Sequence, residues 1–375
     1  MRNFIIYSFF LGLVFLIGVT AASAQTIEEI QAAIKAAGAE WTADDNDVWE
    51  LHRDLGWYQG SDEIPWLGEN ADYYVPSGAK ALPAQLDWRD YEGENWITPV
   101  RNQYSCGSCW AFATAGPIEG HIAYAEGWTD PVLDLSEQQM LSCDDSPGNA
   151  GCNGGFTTTS FDYAQNTGLF DEECLPYHAT DTWPCDDRCE DWQSRLFKID
   201  TWQIIGQWGI FVQPEDIMDA MQNGPVGTSL TIYNDFFAYT EGIYDTVLGI
   251  PQGFHAVTIV GYDADQQYWI CKNSWGDRWG EDGYFRIKWG AAMVGMFTIL
   301  PHYTSQNLGP WPDDDATDDD AADDDAADDD AQDDDAGADD DAVDDDSGDD
   351  DTSPNAQDDD GGGDDSGGGS SGGCG

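Results

Sequence analysis

The stretch Gln103-Tyr104-Ser105-Cys106-Gly107-Ser108-Cys109-Trp110-Ala111-Phe112 sets a cysteine between a glycine-serine turn and a run of helix formers that continues to Tyr124. That pattern predicts Cys109 at the N-terminus of a helix, where unpaired backbone N–H groups and the helix dipole favour negative charge. The thiolate, not the thiol, is the nucleophile, and a free cysteine with a pKa of about 8.5 is little ionised at neutral pH. A cysteine so placed is a candidate nucleophile, provided that a base is brought to it.

Two downstream stretches offer the partners. Gly253-Phe254-His255-Ala256-Val257-Thr258-Ile259-Val260-Gly261-Tyr262 carries His255, and Lys272-Asn273-Ser274-Trp275-Gly276 carries Asn273. The spacing of Cys, His and Asn follows the order found in papain and the cathepsins. On these three motifs, with Leu82-Pro83-Ala84-Gln85-Leu86-Asp87-Trp88-Arg89 ahead of them, residues 82–303 resemble the papain-like cysteine peptidases. The resemblance implies an α+β fold of two lobes, one helical and one an antiparallel β-barrel-like lobe, with the active-site cleft between them.

It also implies roles. Cys109 is the expected nucleophile, His255 shares its proton as an imidazolium, and Asn273 holds the ring. A His-paired cysteine of this family is mostly thiolate at neutral pH. Gln103, six residues ahead of Cys109, is expected to donate to the oxyanion together with the Cys109 N–H. Trp275 covers Asn273 and lines the leaving-group side. Gly154 and Gly155 offer backbone to an extended peptide, while Phe156, Thr157, Ser229, Gly253, Ala256 and Ile299 line an uncharged pocket suited to an apolar side chain. The other histidines, His52, His121, His178 and His302, have no motif around them. The expected partners are peptide or protein substrates, with no cofactor and no metal.

Of nine cysteines, Cys271 lies in the apolar run Tyr268-Trp269-Ile270-Cys271 and reads as a small buried hydrophobe. Spacing alone leaves the pairing of the six others in the first half of the core open. The resemblance implies Cys106 with Cys152, Cys143 with Cys185, and Cys174 with Cys189. The family's bridge in the second half has no counterpart, since Met293-Val294-Gly295-Met296 stands where one partner would be.

Outside the core the composition changes. Residues 1–24 read as a signal peptide, an apolar run after Arg2 that ends in Ala22-Ser23-Ala24, so export to an extracellular, periplasmic or cell-surface location is expected and disulfides are permitted. Residues 25–81 are expected to be a prosegment that inhibits its own enzyme. Ile27, Ile30 and Ile34 share a helical face, and Trp41, Trp49, Trp57, Tyr58, Trp66, Tyr73 and Tyr74 offer large surfaces to lay on the enzyme. Residues 304–375 form an acidic tail whose 29 aspartates carry about half of the net charge of −60. A segment this charged and this poor in apolar residues is expected to be disordered, and its acidity points away from nucleic acid. It reads as a solvated spacer, with weak calcium binding or surface attachment through Cys374 as open readings.

The whole predicts a monomeric, secreted cysteine endopeptidase made as a proenzyme. A dipeptidyl exopeptidase, suggested by the Cys174 to Cys189 segment, and a catalytically inactive surface or attachment protein of the same fold remain as alternatives.

Overall fold

The computed structural model describes residues 25–55, 72–78, 81–131, 133–206, 212–306 and 308. The expected signal peptide, Trp57, Tyr58 and Trp66, and almost all of the acidic tail lie outside the described residues.

Helix α1 (Ile27–Ala37) starts at a capping box, in which the Thr26 hydroxyl accepts from Glu29 N and the Glu29 carboxylate accepts from Thr26 N, and it stops at left-handed Gly38. Its apolar face buries Ile30 and Ile34. Strand β1 (Trp41–Ala43), helix α2 (Asp47–Leu55) and strand β2 (Gln85–Asp87) follow. Helix α3 (Cys109–Glu126) comes next, then α4 (Glu137–Cys143) and α5 (Thr157–Asn166). The rest alternates strand and helix only once: β3 (Thr201–Ile204), α6 (Pro214–Ala220), β4 (Val226–Tyr233), β5 (Tyr239–Tyr244), β6 (Pro251–Asp263), β7 (Tyr268–Lys272), β8 (Tyr284–Lys288) and β9 (Met296–His302).

Helix α3 is buried on every side from Cys109 to Ala123, which its near-continuous apolar sequence allows. It runs through Pro117 as one element. Proline removes the N–H that would have bonded the Ala113 carbonyl. That oxygen abuts Gly227 of β4, where a Cβ would stand only 2.5 Å from it, so the close approach of strand to helix requires glycine there.

The strands form one sheet in the order β1-β5-β8-β7-β6-β4-β9-β3, with β2 paired to β6 besides. The α+β class is as expected. The barrel-like closure is not: the sheet is an open path, and β5 pairs with β8 in parallel rather than antiparallel. The reason lies in its ends, because residues of the N-terminal segment occupy both edges. Strand β1 pairs with β5, and at the other end Tyr74 N donates to Ile204 O while Ile204 N donates to Asp72 O, each at 2.8 Å. An edge already hydrogen-bonded to another strand has no donors left to close a barrel.

Two hydrophobic cores result. One lies on the sheet side around Trp88, Phe236, Trp269 and Phe285; the other lies among the helices around Trp110, Ile118, Phe161 and Ile299. A third small cluster of Cys109, Ala113 and Ala256 lies apart from both. Three disulfides, Cys106–Cys152, Cys143–Cys185 and Cys174–Cys189, stitch the helical side, and Cys271 is free and buried.

The N-terminal segment shares the sheet-side core through Ile30, Ile34, Trp41, Val48 and Trp49. Trp41 packs against Tyr239 and Tyr244 at 6.3 and 5.0 Å between rings and donates its indole N–H to Asp245 O at 3.0 Å. Replacing Trp41 by alanine should therefore loosen the segment by about 3 to 5 kcal/mol. In limited proteolysis residues 25–55 should be cut sooner in Trp41→Ala than in the unmutated chain, while the remainder stays protected.

Candidate active site

The turn before α3 is built for close approach. Gly107 N donates to Cys152 O at 3.0 Å, and a Cβ on Gly107 would meet that oxygen at 2.6 Å, so the Cys106–Cys152 bridge lies directly against the start of the helix. Cys109 is the first residue of α3, as the sequence predicts, and is 5% exposed. The backbone N–H groups of Ala256, Trp110 and Cys109 favour its charged form. Cys109 packs against Ala256, the residue after His255 on β6.

His255 and Asn273 lie on neighbouring strands. His255 pairs with Leu230 across β4, Thr258 further along β6 pairs with Lys272 at the end of β7, and Asn273 follows it. The His255 Nε2 and the Asn273 Oδ1 are 2.8 Å apart. Asn273 Oδ1 also accepts from Ser274 N at 2.8 Å, which fixes the amide orientation so that oxygen faces the ring. The Trp275 indole stacks on His255 at 4.8 Å and is itself held by Phe236, Phe237 and Trp279. His255 Nδ1 is buried and has no hydrogen-bond partner among the described residues, so it is the ring nitrogen left for the thiol.

Gln103 is fully buried in this arrangement. Its Nε2 donates to Cys106 O at 2.9 Å and its Oε1 accepts from Ser274 Oγ at 2.6 Å, so one of its two amide hydrogens remains for another acceptor. Of the residues expected to line the substrate cleft, Ser229 pairs with Ala256 across β4 and β6, beside His255. Gly154 has a positive φ of 111°, and a Cβ on Gly155 would stand 2.6 Å from the Trp110 ring, so both positions need glycine. Phe156, Thr157, Ser229 and Ala256 are buried, Gly253 is half-buried on β6, and Ile299 is fully buried in the helical core.

Burial pushes the Cys109 thiol up to about 11 against the pull of backbone N–H groups, and burial pushes His255 down to about 4 against its bond to Asn273. Desolvation thus opposes the charged form of each group taken by itself.

Three features have no signature in the motifs. Ser274 links Gln103 to the asparagine loop; it stands within the quoted Lys-Asn-Ser-Trp-Gly run but without a predicted role. Behind Asn273, Lys272 Nζ donates to Thr98 Oγ1 at 2.8 Å and lies 4.0 Å from the Glu119 carboxylate, which also binds the Thr98 hydroxyl and Leu135 N. These partners are far apart in sequence, so only the fold brings them together. Tyr177, from the disulfide-bonded loop, reaches the start of α3: its hydroxyl donates to Gln103 O at 2.9 Å and lies 2.6 Å from Ser108 Oγ. Among the described residues no cluster of side chains could hold a metal ion, and no helix is long and apolar enough to cross a membrane.

Residues 82–300 match the profile of the papain family cysteine proteases. The chain is 32% identical over 268 residues to the protein named Probable cysteine protease RD21B of Arabidopsis thaliana, covering 68% of this chain and 55% of that one. To Cathepsin B-like CP3 of Giardia intestinalis it is 36% identical over 225 residues, 57% of this chain and 72% of the other. It thus spans little more than half the length of the first of these relatives. The fold matches digestive procathepsin L 3 from the larval midgut of Tenebrio molitor with a TM-score of 0.58 and 27% identity, covering 74% of this chain and 87% of that one.

A group whose pKa is raised ionises only at higher pH. With the thiol held near 11, the rate at which iodoacetamide labels Cys109 in the unprocessed chain should keep climbing above pH 9 instead of levelling off near neutrality. A pH-independent rate between pH 5 and 8, read by mass spectrometry of the labelled peptide, would show the ion pair already formed.

Proposed function

We propose that this chain, which belongs to the papain family of cysteine proteases, is the exported proenzyme of an endopeptidase that cleaves peptide bonds through a thioester. The observation that supports this best is the arrangement of an orienting Asn273, a His255 whose Nδ1 has no partner among the described residues, and a Cys109 that packs against the next residue of the histidine strand.

In the proposed reaction the Cys109 proton passes to His255 Nδ1 and the sulfur attacks the scissile carbonyl carbon. The resulting oxyanion accepts from the Cys109 N–H and from the free hydrogen of the Gln103 amide. His255 then gives its proton to the leaving amine as the C–N bond breaks, leaving the acyl group on sulfur. Water, deprotonated by His255, hydrolyses the thioester and restores the thiol. Asn273 holds the ring so that Nδ1 stays aimed at the sulfur throughout.

Residues 25–81 act as the prosegment and residues 82–303 as the catalytic domain. The segment's contacts at both sheet edges suit a clamp whose removal admits water and peptide to the cleft. Water restores solvation to both charged groups, and the ion pair that burial opposes then becomes favourable. The leader and the disulfides support export, and the acidic stretch from residue 304 serves as a solvated spacer. Peptides with an apolar side chain two positions before the scissile bond are the proposed substrates.

Cys109→Ala and His255→Ala should each reduce hydrolysis of a fluorogenic peptide to background, with the double variant no lower, because the two act as one unit. Gln103→Ala should lower kcat by about 10²- to 10³-fold with little change in KM. Removal of residues 25–81 should raise activity; undiminished hydrolysis by Cys109→Ala would end this reading.

A further inference from the structure

Helix α3 lacks the cap its sequence provides. Ser108 occupies the N-cap position, and a serine there ordinarily turns its hydroxyl onto the N–H of the second or third helical residue, here Trp110 or Ala111. It makes no such bond. The Ala111 N–H is instead satisfied by the Ser108 carbonyl at 2.8 Å, and the Trp110 N–H favours the charged form of Cys109. The Ser108 backbone, at φ −97° and ψ 14°, lies outside the extended region usual for a cap.

What holds the hydroxyl away is Tyr177. Ser108 is completely buried, so its hydroxyl has no water to turn to. Because the Tyr177 phenol donates its one hydrogen to Gln103 O, the 2.6 Å contact has to be donated by Ser108 Oγ–H to the phenol oxygen. Burial raises the phenol's pKa well above its usual value, so it keeps the hydrogen it gives to Gln103. The ring itself is fixed. It meets Phe112 edge-on at 5.1 Å, and Tyr177 N donates to Glu172 Oε1 at 2.6 Å. Three residues before it stands Cys174 of the Cys174–Cys189 bridge.

We infer that Tyr177 is a positioning residue for catalysis: it draws the Ser108 hydroxyl off the helix N-terminus, reserving the Trp110 N–H for the Cys109 sulfur, and pins the backbone of Gln103 beside it. The inference deepens the peptidase reading and rests on it. Without the phenol hydroxyl, Ser108 regains the ordinary capping choice and competes with the sulfur for the same donor. A thiolate that loses one of its N–H partners is less stabilised and forms at higher pH.

The test compares the full-length protein with Tyr177→Phe and with Tyr177→Phe combined with Ser108→Ala, each activated by the same proteolytic treatment. Tyr177→Phe keeps the ring and its packing. It should lower kcat about tenfold with KM unchanged, and move the acid limb of Cys109 labelling by iodoacetamide up by about one pH unit. Removing the released hydroxyl in the double variant should bring that limb back toward its original position. A Tyr177→Phe protein with unshifted kcat and labelling profile would overturn the inference, as would a double variant displaced as far as the single one, since a purely structural role would not be rescued by deleting a second hydroxyl. If the unmutated, activated protein neither hydrolyses peptide nor labels at Cys109, the peptidase reading falls and this inference with it.

Discussion

The burial of α3 is the constraint from which the rest follows. A helix that is dry along its whole first fifteen residues must be largely apolar with its few polar side chains paired inside, as Thr114, Glu119 and His121 are, must be approached closely by strands on one side and helices on the other, and must satisfy its terminal N–H groups without water. Gly227 answers the second demand at Pro117, and the Cys109 sulfur with the Ser108 carbonyl answers the third. A nucleophile placed at the one end where unpaired donors gather is the chemical use made of that demand. The two hydrophobic cores differ because α3 separates them, and the small cluster of Cys109, Ala113 and Ala256 is where the helix meets the histidine strand.

The burial that builds the site also opposes charge on Cys109 and on His255. The N-terminal segment is coupled to the site through aromatic rings: His52 stacks on Phe237 at 4.0 Å, Phe237 on Trp275 at 5.5 Å, and Trp275 on His255 at 4.8 Å. Its strand contacts at both edges of the sheet use backbone hydrogen bonds, which depend little on side-chain identity. Docking of this kind asks little of the segment's side chains.

At the other end of α3, Glu126 accepts hydrogen bonds from Tyr303, Ser305, Gln306 N and Leu308 N, which holds the beginning of the acidic stretch at the helix end opposite Cys109. Eighteen helical residues rising about 1.5 Å each separate the two ends by roughly 27 Å. A single carboxylate thus anchors residues 303–306 and 308 at that helix end, and these bonds lower its pKa although burial opposes them.

The sequence by itself determined the chemistry and much of the local structure. Cys109 opens a helix, and the apolar spacing of Ile27, Ile30 and Ile34 gives α1. Local signals are legible because capping, turns and periodicity are properties of neighbouring residues. Tertiary structure decided everything that depends on residues far apart: the open sheet capped at both edges, the Lys272, Thr98 and Glu119 network behind Asn273, and the bridge from Tyr177 to Ser108. It also decided how strongly burial opposes charge on Cys109 and His255. A motif names an ionisable group, but its pKa is set by how much water and how many donors the folded chain leaves around it, and that is a sum over the whole surroundings.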